Sequence, residues 1–197
     1  MTVGLRERNK LRRSEQITQA ALRLFAERGF DGATIDEIAA AADVSRRTFF
    51  RYFARKEDVI LDWKRQMADE LREAIDARPA DEAPLDAVHR TLATVAAGYS
   101  DQPELTLGLL RLFESGPALH HDADYPAWDA VLTEGIARRM EVDPARDPAP
   151  RLLASVGFAV LTATVESWGE AGGSGDLLGM LDDGFAALRR ATAHAAA

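Results

Sequence analysis

The sequence predicts an all-α chain of about nine helices, and three observations carry that prediction. Apolar residues recur at three- and four-residue spacing through most of the 197 residues, the periodicity of amphipathic helices. No strand-like alternation of any length interrupts it. The proline and glycine clusters fall between the periodic segments.

In chain order, Leu11, Ile17, Ala21, Leu24 and Phe25 mark a first helix that ends at Gly29, read as its C-terminal cap. Thr34-Ile-Asp-Glu37 reads as a capping box opening a short helix to about Ala41. Asp43 follows as a turn residue, because Asp tolerates a left-handed backbone better than most non-glycines. Ser45 caps a second short helix, Arg46 to Tyr52, and two short helices across a tight turn make a helix-turn-helix. Ile38, Ala39, Val44, Phe49 and Phe53 are assigned to the core of this small domain.

A long helix from about Lys56 to Ala77 then places Ile60, Trp63, Met67, Leu71 and Ile75 on one face. At 1.5 Å per residue it spans roughly 33 Å, enough to connect two lobes. Arg78 to Pro84 is a polar break. Further helices are expected at about 85–100, 103–115, 124–141, 150–169 and 176–193, separated by proline and glycine segments.

Composition narrows the function. A 47% hydrophobic fraction supplies a core, and the absence of cysteine excludes disulfides, thiol nucleophiles and cysteine-ligated zinc or iron–sulfur sites. The basic start lacks a signal peptide's apolar stretch, and the longest weakly polar run, Ala154 to Val165, falls short of the roughly 18 residues a span needs. The expectation is a soluble, cytoplasmic protein with no membrane partner. The net charge of -8 hides an asymmetry: residues 1–62 hold 12 Lys/Arg against 10 Asp/Glu, while the remainder holds 12 against 22. Residues 45–56 contain Arg46, Arg47, Arg51, Arg55 and Lys56 and no acid. A basic cluster on an acidic protein points to a local polyanion site.

Basic charge on a helix-turn-helix points to double-stranded DNA. The second helix enters a major groove with its N-terminal residues at base edges. Arg46 and Arg47 occupy that end, and an arginine fork can bind guanine in bidentate fashion. Thr48, Arg51 and Tyr52 lie within reach of bases or phosphates. Lys56 opens the next helix, where dipole and charge both favour phosphate.

Three segments carry a resemblance: residues 21–30 (ALRLFAERGF), 34–45 (TIDEIAAAADVS) and 48–61 (TFFRYFARKEDVIL). In register they resemble the tetracycline-repressor (TetR) family over residues 10–62. The resemblance implies a homodimeric repressor with an N-terminal DNA-binding domain, placed here at 1–55, and a C-terminal ligand-binding and dimerisation domain at 56–197. It implies phosphate or base contacts at Thr34, Arg46, Arg47, Thr48, Tyr52 and Lys56, to which the residue reading adds Ser45 and Arg51. Asp43 stands where the family's turn glycine is usual. Phe50 stands where tyrosine is common, which removes a hydroxyl from that position.

Farther along, residues 110–119 (LRLFESGPAL), 136–144 (IARRMEVDP) and the Arg151-Leu-Leu helix are similar to an actinobacterial subgroup with an acyl-CoA-like ligand-binding domain. That similarity implies no cofactor but a small-molecule effector, an acyl-CoA or another apolar ligand. The pocket candidates are Tyr99, Leu109, Phe113, Trp128, Phe158 and Trp168, each of which also reads as plain core. Arg111, Arg138 and Arg139 are the basic residues a CoA moiety would need. His120, His121, Asp122 and Asp124 look like a metal cluster, but adjacent residues seldom converge on one ion, so no metal is expected. Leu152, Val156, Val160, Leu177, Leu181, Phe185 and Leu188 recur along the last two helices as a dimer surface, with Gly157 permitting close approach.

The resulting expectation is a repressor that binds a palindromic operator as a homodimer and is released by an apolar effector, with no catalytic residues. The rival readings are a ligand-independent or activating DNA binder and an enzyme using the His120/His121 region.

Overall fold

The computed structural model describes residues 5–115 and 128–194. These form nine helices and no strand: α1 Leu5–Arg28, α2 Ile35–Ala41, α3 Arg46–Tyr52, α4 Glu57–Asp76, α5 Pro84–Asp101, α6 Pro103–Ser115, α7 Trp128–Met140, α8 Ala149–Glu170 and α9 Leu177–His194. The all-α expectation holds element by element. The start expected near residue 124 lies outside the described residues, as does the His120/His121 region. The described residues group into two compact units, 5–66 with 104–115 and 67–103 with 128–194. α4 begins in the first unit and ends in the second.

The first unit is built on α1–α3. Gly29 closes α1 with φ 74° and donates its N–H to the Phe25 carbonyl at 2.9 Å. Seven-residue helices do not stand alone, so α2 and α3 depend on caps and burial. Thr34 supplies the cap of α2: its hydroxyl oxygen accepts from the Glu37 N–H, and the Glu37 carboxylate accepts from the Thr34 N–H. Asp43 adopts φ 51°, the left-handed turn that the sequence requires of it, and Val44 donates back to Ala39 at 2.9 Å. Ser45 caps α3 by accepting from the Thr48 N–H at 3.1 Å. Ile17, Phe25, Ile38, Phe49 and Val59 are fully buried and fasten the helices together.

Two contacts the periodicity did not reveal complete this unit. The Asp62 carboxylate accepts from Ser14 Oγ at 3.1 Å, Thr18 Oγ1 at 3.0 Å and Gln66 Nε2 at 2.9 Å, which ties α4 to α1. Gly108 of α6 lies so close to α1 that a Cβ there would come within 2.3 Å of the Ala26 Cβ.

The second unit packs α8 against α5, α7 and α9. Gly157 of α8 gives α5 its close approach: a Cβ would meet Val88 Cγ1 at 2.4 Å and Leu92 Cδ1 at 3.0 Å. His89 of α5 stacks on Phe185 of α9 with ring centres 4.2 Å apart and faces Asp182 at 2.8 Å, while Arg189 pairs with Asp86. Arg138 pairs with Asp76 at 2.6 Å, and Arg139 donates to the carbonyls of Arg78, Pro79 and Glu82, so α7 fastens the chain where α4 ends.

α8 carries a longer apolar stretch than the sequence run suggested: 18 of its 22 residues reach a mean hydropathy of 1.3, a length and composition that core helices of folded proteins share with membrane spans. The small Ala, Gly, Ser and Thr residues scattered along it hide that stretch from a search for an unbroken strongly apolar run. Here Ala154, Gly157, Leu161, Val165 and Trp168 of that helix are buried within the unit.

Candidate nucleic-acid interface

Burial of Phe49 fixes how α3 is rotated. At 100° per residue, Arg47 and Arg51 lie about 160° from it, and both are exposed. Arg47 has no ion-pair partner among the described residues. The Arg51 guanidinium lies 5.2 Å from the centre of the Tyr52 ring. On one flank Thr48 is tied to Ser45, hydroxyl to hydroxyl at 2.9 Å. On the other, Arg46 meets both carboxylate oxygens of Asp36 at 3.0 and 2.8 Å and lies 5.6 Å from the Phe50 ring centre. The outward face of α3 therefore presents cations and no acid.

Three candidates are engaged inside the protein. Arg46 carries an acidic partner on α2, which sequence spacing did not reveal because residues 36 and 46 lie in different helices. Thr34 gives its hydroxyl hydrogen to Glu37 at 2.8 Å. Bonds from the Thr34 backbone N–H and hydroxyl, then Arg28 at 2.6 Å, hold the Glu37 carboxyl below the usual range. Lys56 donates to the Phe30 carbonyl at 2.8 Å and the Ala33 carbonyl at 3.4 Å, with the Phe30 ring 4.3 Å away. Its ammonium tethers the loop after α1.

The pocket candidates divide between the two units. Leu109 is buried in the first, and the Phe113 side chain lies outside the described residues. In the second, Tyr99, Trp128 and Phe158 are half-buried and Trp168 is fully buried. Burial, then the nearby Glu70 charge, pushes the Tyr99 hydroxyl up to about 12. Among the described residues, Trp168 Nε1 and Thr91 Oγ1 are buried without hydrogen-bond partners, an uncommon condition that calls for an explanation. Of the basic residues considered for CoA, Arg138 and Arg139 are committed to Asp76 and to the backbone after α4.

The dimer candidates also divide. Leu152 is 60% exposed and Val156 and Val160 are half-buried, but Leu177, Leu181 and Phe185 are buried within the chain itself and Leu188 is half-buried. The apolar stripe of α9 faces α5 and α8, so these three residues are core, and Gly157 serves an internal contact. One amphipathic pattern suits both destinations, and sequence cannot separate them.

The profile described as bacterial regulatory proteins, tetR family, matches residues 17–62, and that of the MftR C-terminal domain matches residues 82–193. The chain is 33% identical over 175 residues to the HTH-type transcriptional regulator TcmR of Streptomyces glaucescens, covering 84% of this chain and 76% of TcmR. It belongs to the TetR family. As a TetR-family member it is a DNA-binding transcriptional regulator, and α2–α3 is its helix-turn-helix. Among solved structures it is similar to Thermus thermophilus FadR, a TetR-family repressor in complex with lauroyl-CoA, at 29% identity and TM-score 0.55, covering 87% of this chain and 90% of that one. It also shares the fold of Bacillus subtilis FadR in complex with stearoyl-CoA, at 22% identity and TM-score 0.63, covering 87% and 95%.

Proposed function

We propose that this TetR-family regulator is a homodimeric, cytoplasmic repressor that binds a palindromic operator through α3 and leaves it when an apolar effector, an acyl-CoA in the first instance, occupies the second unit. The observation that carries the DNA half is the outward face of α3, where Arg47 and Arg51 stand exposed opposite the buried Phe49. Arg47 is assigned to a base edge, Thr48, Arg51 and Tyr52 to the flanking contacts, and Thr34 and Ser45 to the helix caps that hold the reading frame. Two such helices enter successive major grooves when they lie about 34–36 Å apart.

The effector half is supported by the lauroyl-CoA bound to the Thermus relative and by the unsatisfied polar atoms of Trp168 and Thr91. Trp168 Nε1 only donates, so it suits a carbonyl or other acceptor on a largely apolar molecule. The exposed stripe of α8, Leu152, Ser155, Ala159 and Ala163 with Val156 and Val160 beside it, is the proposed dimer surface. Small residues there allow two α8 helices to approach closely.

The test is reciprocity. Operator binding is titrated with acyl-CoAs of increasing chain length, and acyl-CoA binding is titrated with operator. A coupling of about 1–3 kcal/mol must appear equally in both directions. Operator affinity indifferent to every chain length rejects this effector class, and ligand binding untouched by operator rejects the coupling.

A further inference from the structure

α3 leaves a large apolar side chain in water. Phe50 is 44% exposed although its neighbours Phe49 and Phe53 are buried. Its ring is nonetheless held. The Phe49 ring meets it nearly perpendicularly, 89° between planes and 5.6 Å between centres. The Arg46 guanidinium, 5.6 Å from its centre, is itself gripped by both oxygens of Asp36. The ion pair thus holds a cation beside the ring and directs it to Asp36 in the free protein.

A phenyl ring offers no hydrogen bond to a base edge. Among the groups that base pairs display in the major groove, the C5-methyl of thymine is the apolar one, and phenylalanine is among the side chains that suit it. We propose that Phe50 reads one thymine methyl in each half-site, with Asp36 and Arg46 as positioning residues that fix the ring. The inference rests on α3 being the helix that enters the groove. Covering a methyl group corresponds to about fourfold in affinity.

The experiment uses the full-length protein and an operator selected from random-sequence DNA. Each operator thymine is replaced singly by deoxyuridine, which pairs identically and lacks only the methyl group. At one position per half-site the substitution should weaken the wild-type protein about fourfold. Phe50→Ala should bind the thymine and deoxyuridine duplexes equally there, and Phe50→Leu should retain part of the difference. Asp36→Asn should narrow the same ratio while leaving other thymines unaffected. A thymine scan in which no penalty disappears with Phe50→Ala overturns the proposal, as does a Phe50→Ala loss equal on operator and random DNA, which would mean packing against the backbone. Arg47→Ala separates this failure from the broader one. Loss of operator binding with a flat thymine scan removes only the methyl reading, whereas retention of operator binding removes α3 as the reader.

Discussion

Tyr99 holds its hydroxyl in a place where ionisation is expensive. Burial first and the Glu70 charge second raise its pKa to about 12 from an ordinary 10. A raised folded value means that the stability linked to this group is present in full below about pH 10. It is lost as the pH climbs toward about 12, because the unfolded chain ionises and the folded one resists. Phenolate absorbance should therefore show a late component that vanishes in Tyr99→Phe; titration of all tyrosines near pH 10 in the native protein would refute it. Residue roles set by backbone shape were legible in advance: Asp43 takes the left-handed turn and Thr34 and Ser45 cap, since these needs are local. Roles set by a distant partner were not. Lys56 carries the same charge whether it meets a phosphate or the Phe30 and Ala33 carbonyls.

Helices were legible as elements because their caps, breaks and periodicity are written locally, whereas their destinations were not. The apolar stripe of α9 buries Leu177, Leu181 and Phe185 at home, and α6 meets α1 through a glycine that the pattern gives no reason to notice. Gly108→Ala puts the α1–α6 contact to a test. Alanine favours a helix over glycine by up to about 1 kcal/mol, but the added Cβ would lie 2.3 Å from that of Ala26 and 2.7 Å from its Cα. Overpacking of this kind costs about 1–3 kcal/mol. The expected net result is a lower denaturant midpoint with an unchanged slope, and a midpoint at or above wild type would show that α6 can withdraw from α1 without cost.

For the whole molecule, the burial pattern separates folding from assembly. Leu181→Glu puts a carboxylate into a fully buried site and should unfold the chain at a cost of several kcal/mol. Ala159→Glu changes an exposed position on α8 and should leave the far-ultraviolet spectrum intact while converting the proposed dimer to monomer in analytical ultracentrifugation. A folded, fully dimeric Ala159→Glu protein would move the interface elsewhere. The charge asymmetry remains the sequence's clearest statement at this scale, since it confines the basic surplus to the part of the chain that holds the helix-turn-helix.

The fastening of α4 bears on how such regulators can be recombined. Near its start Asp62 accepts from Ser14 and Thr18; at its end Arg138 holds Asp76 and Arg139 holds the carbonyls just beyond. Each end of α4 is thus fixed within its own unit. A chimera that joins this reader to a foreign sensor must therefore cross over inside α4 without inserting or deleting residues, because one residue turns everything beyond the seam by 100°. Residues 63–69, between the two sets of anchors, are where such a seam belongs.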